Sequence, residues 1–197
     1  MRVSREQVQE NRRIILEAAG RLFRKRGFEA VTVADVMKSA GLTHGGFYGY
    51  FKNKDDLIAQ TLTGLLGGVA LPSSDLAVLA ARYLSPPHRD DFECGCPVAA
   101  LASDTIRQSG EARAEMTAGL RRQIALLSQI APGEDAAHQR RAAIGSWAAM
   151  IGALILARMT DDEALSEEIL GETAAWIAAR SDETDAAPER TAPSRRG

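Results

Sequence analysis

The stretch 32–54 constrains the fold more than any other part of the chain. Its first residues carry apolar side chains at helical spacing, namely Val33, Val36 and Met37. Gly41 then supplies a turn, because glycine readily takes the left-handed backbone conformation. Thr43 follows and can cap a second short helix. The stretch therefore predicts a helix–turn–helix, an element that can lay its second helix in the major groove of DNA.

The composition favours an all-α protein built around this element. Hydrophobic residues make up 45% of the 197 residues and charged residues 25%, as in ordinary globular proteins. Ala, Leu, Arg and Glu recur at helical spacing. We predict about nine helices: a helix–turn–helix domain over 1–52, a larger helical domain over 53–181 for ligand binding and dimerisation, and a disordered tail over 182–197. We see no apolar run of membrane-spanning length and no secretory signal, which favours a cytoplasmic protein with no membrane partner.

The charge is distributed unevenly along the chain. Residues 1–54 hold 11 basic and 5 acidic residues, whereas the remainder holds 13 basic and 21 acidic residues. A basic N-terminal region on an acidic body suits a protein that meets a polyanion with one end. A solvated, arginine-rich helix face would give the same count, so charge alone does not decide between the two.

Helix start and stop signals divide the rest of the chain. Ser4 and Gln7 have the spacing of a capping box, which predicts a first helix that ends near Gly27. The segment 88–96 is predicted as a loop, because two prolines precede it. Pro97 suits the first position of the next helix. The last two helices are predicted over 136–159 and 163–180.

These last two helices carry small and apolar residues nearly all the way round. A helix of that kind is buried on several sides, and one of them suits a second subunit in a four-helix interface. The candidate interface residues are Trp147, Ile151, Leu154, Ile155 and Trp176. The alternative is a helix pair buried within a single subunit.

Cys94 and Cys96 are the chemically reactive candidates. Cys96 immediately precedes the helix start at Pro97, where a helix N-terminus favours the thiolate, and His88 and Arg89, which lie nearby in sequence, could assist the thiols. The pair could sense oxidants or electrophiles, or could be two unreactive reduced thiols. The spacing offers no complete metal site, so no metal and no cofactor are predicted.

An ordered motif covers the helix–turn–helix and its flanks. It reads Thr32-Val-x-Asp-Val, then Ala40-Gly-Leu-Thr, then Gly46-Phe-Tyr-x-Tyr-Phe-x-Asn-Lys-Asp-Asp-Leu57. It closely resembles the N-terminal domain of the tetracycline-repressor (TetR) family of bacterial regulators, in strong form over residues 8–60. The resemblance implies an all-helical homodimeric repressor. It would bind a palindromic operator and be released by a small-molecule inducer held in the body.

Mapped onto this chain, the resemblance gives candidate DNA contacts at the recognition helix and the next helix start. They are Thr32, Lys38, Ser39, Thr43, His44, Gly45, Gly46, Tyr48, Tyr50 and Lys54. Thr43 and His44 are expected to reach base edges, and the two tyrosines and Lys54 to contact phosphates. Arg2 and Arg5 could add a minor-groove arm or have no fixed structure.

The inducer is expected to be of modest size and mainly apolar, which is the default for a helical pocket. Candidate lining residues are Tyr83, Phe92 and Trp147, with the two cysteines as the sensing option. We find no phosphate-binding loop, dinucleotide fingerprint or histidine-rich metal motif, so we predict that the chain is not an enzyme. Two alternatives remain at this point: a thiol redox enzyme using Cys94 and Cys96, and a DNA-binding protein without an inducer.

Overall fold

The computed structural model describes residues 4–68, 71 and 73–185, and within these ranges the chain folds into helices without any strand. This confirms the predicted all-α class. The structure has nine α-helices and one 3₁₀ helix in its described parts. They are α1 (Arg5–Arg26), α2 (Val33–Ser39), the 3₁₀ helix (His44–Gly49), α3 (Lys54–Gly67), α4 (Leu76–Tyr83), α5 (Pro86–Asp90), α6 (Pro97–Thr105), α7 (Gly110–Ser128), α8 (Ala136–Met159) and α9 (Glu163–Asp185).

The first helix begins and ends at the signals in the sequence. The Ser4 hydroxyl accepts the Gln7 backbone N–H at 3.1 Å, although the Gln7 side chain donates to Asn11 instead of closing a capping box. Gly27 ends the helix with φ 77°, in the left-handed region that favours glycine. Helix α1 then packs against α2, α3 and α6.

The recognition element differs from an ordinary α-helix. Thr32 and Asp35 form a full capping box at the start of α2, and Gly41 makes the turn with φ 70°. The residues after the turn form a 3₁₀ helix instead of the expected α-helix. Three of its six residues are glycine, which stabilises helical backbone poorly. Packing holds this segment in place: Phe47 is fully buried and stacks on Phe51 with ring centroids 5.6 Å apart.

Helix α3 connects the N-terminal helices to the rest of the chain. The Asn53 side chain caps it by accepting the Asp56 backbone N–H at 2.8 Å. Its buried face packs on both α1 and α7, so the same helix begins beside the recognition element and ends among the later helices. Helix α8 packs on α7 and α9, and α9 packs on α4.

Two predicted boundaries are wrong. Pro86 and Pro87 begin the short helix α5 where a loop was expected, because proline fits the first turn of a helix, where no intrahelical N–H bond is lost. Helix α9 runs to Asp185 and so includes the first residues of the predicted disordered tail. The rest of that tail, 186–197, lies outside the described residues, as does Arg2.

Helix α8 is, among the described residues, the one helix long and apolar enough to cross a membrane by length and composition, with 39% of its apolar window buried. The statement that no run reaches this length is therefore wrong for α8. The core helix of a globular protein meets the same criterion. The packing of α8 between α7 and α9 accounts for its apolar character without a membrane.

Candidate nucleic-acid interface and ligand cavity

An exposed polar surface surrounds the start of the 3₁₀ helix. Thr43 occupies the N-cap position, yet its hydroxyl makes no cap hydrogen bond. Thr43, His44 and Gly45 are exposed, and the Tyr48 side chain is 72% exposed while its ring contacts Phe47 edge-on. The surface therefore presents exposed hydroxyl and imidazole groups on a segment that aromatic packing holds in place.

Tyr50 is tied to the first helix through its hydroxyl. The Asn11 side-chain amide donates to the Tyr50 oxygen at 2.8 Å. Since a tyrosine hydroxyl both accepts and donates, its proton stays available for an external acceptor. The pairing spans 39 positions in sequence, so local patterns carry no signal for it.

The first turn of α3 has backbone N–H groups without a hydrogen-bond acceptor among the described residues. The Asp56 backbone N–H is taken by Asn53, and the Asp56 carboxylate accepts the Lys52 N–H at 2.9 Å, which lowers the pKa of Asp56. The backbone N–H groups of Lys54 and Asp55 have no acceptor among the described residues. Together with the Lys54 ammonium they form a place where an anion can bind.

The remaining candidates on α2 divide into two groups. Lys38 and Ser39 are exposed at its C-terminal end. The Thr32 hydroxyl is engaged with Asp35 at 2.8 Å, and hydrogen bonds from Thr32 lower the pKa of that carboxyl. Thr32 is thus primarily a helix cap.

A polar network links α1 to α3, and the sequence patterns do not predict it. The Arg12 guanidinium donates to the Gln60 side chain and lies 5.5 Å from the Phe51 ring centroid. Gln60 in turn donates to Asp56, so α1 is linked to the first turn of α3. The network fixes the angle at which α3 leaves the recognition element.

A cavity of about 720 Å³ lies among the later helices. Its walls are mainly apolar, with Leu65, Leu66, Leu71, Leu79, Val98 and Trp147, and its polar lining includes Arg24, Tyr83, His88, Asp91, Cys94, Cys96 and Gln123. The structure thus brings together four of the five predicted ligand or sensor residues. Phe92 is the exception: it stacks with Arg158, 4.8 Å from ring centroid to guanidinium, at a separate shallow depression.

His88 is fixed by two backbone hydrogen bonds beside the cysteines. The Cys96 backbone N–H donates to His88 Nε2 at 3.1 Å, so the other ring nitrogen carries the proton and donates to the Tyr83 carbonyl at 2.6 Å. Arg89 is buried in a separate network with Asp90 and Glu163. The expectation that His88 and Arg89 assist the thiols is therefore wrong, because their polar atoms have other partners.

Two sets of contacts join this cavity to α1. The Arg24 side chain, itself part of the lining, donates to the Glu93 carbonyl at 2.6 Å, and Lys25 pairs with the Glu93 carboxylate at 2.7 Å. Just after the end of α1, the Phe28 backbone N–H donates to the Asp104 carboxylate at the end of α6. The wall of the cavity is therefore in direct contact with the C-terminal end of α1.

Sequence comparison identifies the N-terminal part of the chain. The family described as "Bacterial regulatory proteins, tetR family" matches residues 15–61, which contain the surface and its supporting core. Residues 15–61 therefore match the N-terminal domain of the TetR family.

Named relatives of this chain match over the same region. It is 43% identical over 65 residues to the "HTH-type transcriptional regulator TtgR" of Pseudomonas putida, covering 33% of this chain and 31% of that one. It is 37% identical over 60 residues to the "HTH-type transcriptional repressor KstR2" of Mycobacterium tuberculosis, covering 30% of each. The matched region therefore spans about a third of these regulators. Both are named as regulators, which agrees with the prediction that the chain is not an enzyme.

A solved structure extends the similarity of fold over most of the chain. The reduced form of E. coli NemR superposes with a TM-score of 0.67 at 22% identity, covering 86% of this chain and 96% of that one. At that identity the match establishes the fold alone. It includes the later helices, for which the sequence motif gives no information.

The predicted interface residues on α8 and α9 lie in different environments. Trp176 on α9 is 49% exposed, and Ile151 and Ile155 on α8 are partly exposed. Leu154 is fully buried within its own subunit, and Trp147 is buried beside the cavity. Those two have almost no surface left for a partner, because their positions on α8 face inward.

Proposed function

We propose that this chain is a homodimeric DNA-binding transcriptional regulator that represses its target genes and is released from DNA by a small molecule. One observation carries the proposal: the segment shared with the TetR family presents Thr43, His44, Tyr48 and the start of α3 as one exposed surface with free donors. Hydroxyl, imidazole and ammonium groups of this kind contact base edges and phosphates.

Each candidate contact has a proposed role set by its environment. Thr43 and His44 read bases, since they lie at the exposed start of the 3₁₀ helix and their side chains are not engaged elsewhere. Tyr48, Tyr50 and Lys54 hold phosphates. Gly45 and Gly46 permit close approach to the groove, and Lys38 and Ser39 contact the backbone at the edge of the surface.

A dimer is proposed through α8 and α9. Their outward faces carry exposed apolar side chains, including Leu156, Met159 and Trp176. Gly145 and Gly152 on α8 have open space where a side chain would lie, which allows a second helix to approach closely. Two recognition elements would then meet one duplex about 34–36 Å apart or a multiple of that distance, on a near-palindromic operator.

The cavity supports an inducer in preference to a DNA-binding protein without one. A fully packed body would favour a DNA-binding protein without an inducer, whereas this body holds a partly open cavity of about 720 Å³ lined mainly by apolar side chains. A mainly apolar ligand fits such walls, and an electrophile or oxidant acting on Cys94 or Cys96 is the second inducer class. Work on chromosomal DNA implies a cytoplasmic protein.

DNase footprinting of the intact chain on the DNA upstream of its own gene tests this proposal. We expect two protected half-sites related by a near-palindrome, and no protection on a scrambled fragment of equal length. His44→Ala should change the preferred base within each half-site. Uniform weak binding to both fragments would contradict a sequence-specific regulator.

A further inference from the structure

One cationic side chain of α1 belongs to the wall of the cavity among the later helices. Arg24 lines the cavity and is partly buried, and its Nε donates to the Glu93 carbonyl at 2.6 Å. Its two terminal nitrogens have neither a hydrogen-bond acceptor nor an ion-pair partner among the described residues. Burial lowers the pKa of Arg24, because the guanidinium has lost part of its hydration without gaining a paired carboxylate.

The acidic groups near Arg24 contact other donors. The Glu93 carboxylate pairs with Lys25 at 2.7 Å. The Asp91 carboxylate also lines the cavity, but it accepts the Cys94 backbone N–H at 2.8 Å and acts on Arg24 only from beyond ion-pair distance. The terminal N–H groups of Arg24 are therefore available to a bound molecule.

The rest of the lining suits an apolar molecule with one negative charge. Within the described part of the chain, two arginines and one acidic residue line the cavity, namely Arg24, Arg82 and Asp91, so the formal charge of the wall is positive. The Gln123 side-chain amide is partly buried in the same wall and has no hydrogen-bond partner among the described residues. Most of the remaining wall is apolar and includes Trp147.

We propose that the cavity binds an apolar monocarboxylate, with its carboxylate held by the terminal N–H groups of Arg24 and its body against the apolar walls. A planar guanidinium can donate two parallel N–H bonds to the two oxygen atoms of a carboxylate. A phosphate monoester would bring a second charge into apolar surroundings near Asp91, which costs free energy. The proposal names the chemical class of the inducer and to that extent rests on the proposed function.

Arg24 would connect such a ligand directly to α1. It lies in the last turn of α1, and α1 packs against α2 of the recognition element. A carboxylate on its terminal nitrogens fixes the orientation of the guanidinium and restrains the end of α1 against the cavity wall. The position of α1 then depends on whether the ligand is bound.

The test compares decanoate with decanamide, which has the same chain and an uncharged end. Isothermal titration calorimetry on the intact chain without DNA measures both affinities at about pH 7. We expect decanoate to bind about tenfold more tightly than decanamide, because its hydrogen bonds from Arg24 are charge-assisted. Decyl phosphate should bind more weakly than decanoate. Arg24→Gln should remove the preference for decanoate and leave decanamide binding unchanged, which would show that the cavity is intact.

Lys25→Gln is the matched control for Arg24→Gln. Lys25 carries the same charge and also contacts Glu93, yet it is exposed and is not among the described residues that line the cavity. Lys25→Gln should therefore keep the preference for decanoate. Arg82→Gln should keep it too, because Arg82 is exposed although it lines the cavity.

Three results would overturn the proposal: equal affinities of the parent for decanoate and decanamide, a preference that survives Arg24→Gln, or a preference lost in Arg82→Gln. Loss of both probes in Arg24→Gln would overturn it as well, since Arg24 would then support the cavity and not the carboxylate.

The link to α1 is tested separately on DNA. Release of bound DNA by decanoate, kept in Lys25→Gln and lost in Arg24→Gln, would support it. A chain that binds decanoate through Arg24 and never binds DNA would refute the proposed function alone. A chain that binds its DNA and shows no preference for decanoate would refute the ligand class alone.

Discussion

Phe28 donates its backbone N–H to Asp104 Oδ2 at 3.1 Å, across 76 positions of sequence. The bond joins the end of α1 to the end of α6 and so links the recognition element to the cavity wall. Gly27, just before Phe28, is shaped to permit it: a side chain at this position would lie 2.5 Å from the same carboxylate oxygen. This hydrogen bond and the neighbouring glycine give two predictions on the stability of the fold.

Asp104→Ala should destabilise the fold by about 1–3 kcal/mol, because a partly buried N–H loses its charged acceptor. The control is Arg107→Ala, which removes only the exposed partner of the same carboxylate, 3.0 Å away. An exposed pair contributes about 0–1 kcal/mol. Urea unfolding of both variants would measure the difference, and equal losses would show that the bond to Phe28 contributes nothing.

Gly27→Ala should cost more than Gly41→Ala. Both glycines have positive φ, 77° and 70°, so both variants carry a backbone penalty of about 1–2 kcal/mol. Only Gly27 also faces a close atom, whereas nothing lies within 4 Å of an added carbon at Gly41. Thermal melts that rank Gly41→Ala as the more damaging change would be inconsistent with the Asp104 contact.

Acid should weaken the start of α3 through Asp56. Hydrogen bonds, chiefly from the Lys52 N–H, lower its pKa below the ordinary 3.8, so its contribution is complete above that value. It is lost as pH falls through the lowered folded-state pKa. Asp56→Asn keeps an acceptor without the titration, so the difference in urea midpoint between the two proteins should shrink on going from about pH 6 to about pH 3. A constant difference would exclude this role.

The dimer predicted through α8 can be tested at Gly152. A Cβ added there meets no atom of the subunit within 4 Å, and lysine suits a helix better than glycine, so the monomer should stay folded while a close-packed interface is blocked. Gly64→Lys on α3 is the matched control, because it also enters open space. Analytical ultracentrifugation should find monomers only for Gly152→Lys. A persistent dimer would move the interface elsewhere.

Much of this architecture could be predicted from the sequence because its signals are local. Caps at Ser4, Thr32 and Asn53, and the apolar composition of α8, need only neighbours within a few residues. The 3₁₀ form of the recognition segment and the proline-started α5 are outcomes of competing local rules. Glycine weakens an α-helix and proline stops one. The same residues nevertheless permit a short 3₁₀ helix or a short helix that begins at proline.

The candidate site was predictable in its residues and only partly in its contacts. Cys96, Tyr83 and Trp147 meet at the cavity as expected, yet the contacts that join Arg24 and Lys25 to Glu93 follow from tertiary packing alone. Phe92 was misplaced for the same reason: its partner Arg158 lies 66 positions away and draws it to another surface. Contacts across such separations leave no periodic trace in one sequence.

The proposed function requires that the exposed surface at the start of α3 contacts DNA. Fluorescence anisotropy on the upstream fragment, from about 50 to 200 mM salt, should compare the parent chain with Lys54→Ala and with Arg121→Ala, an exposed change on α7. We predict weaker binding for Lys54→Ala and a salt slope smaller by about 1.8, since a dimer loses two phosphate contacts of about 0.9 each. Arg121→Ala should match the parent. Unchanged affinity and slope in Lys54→Ala would contradict the account.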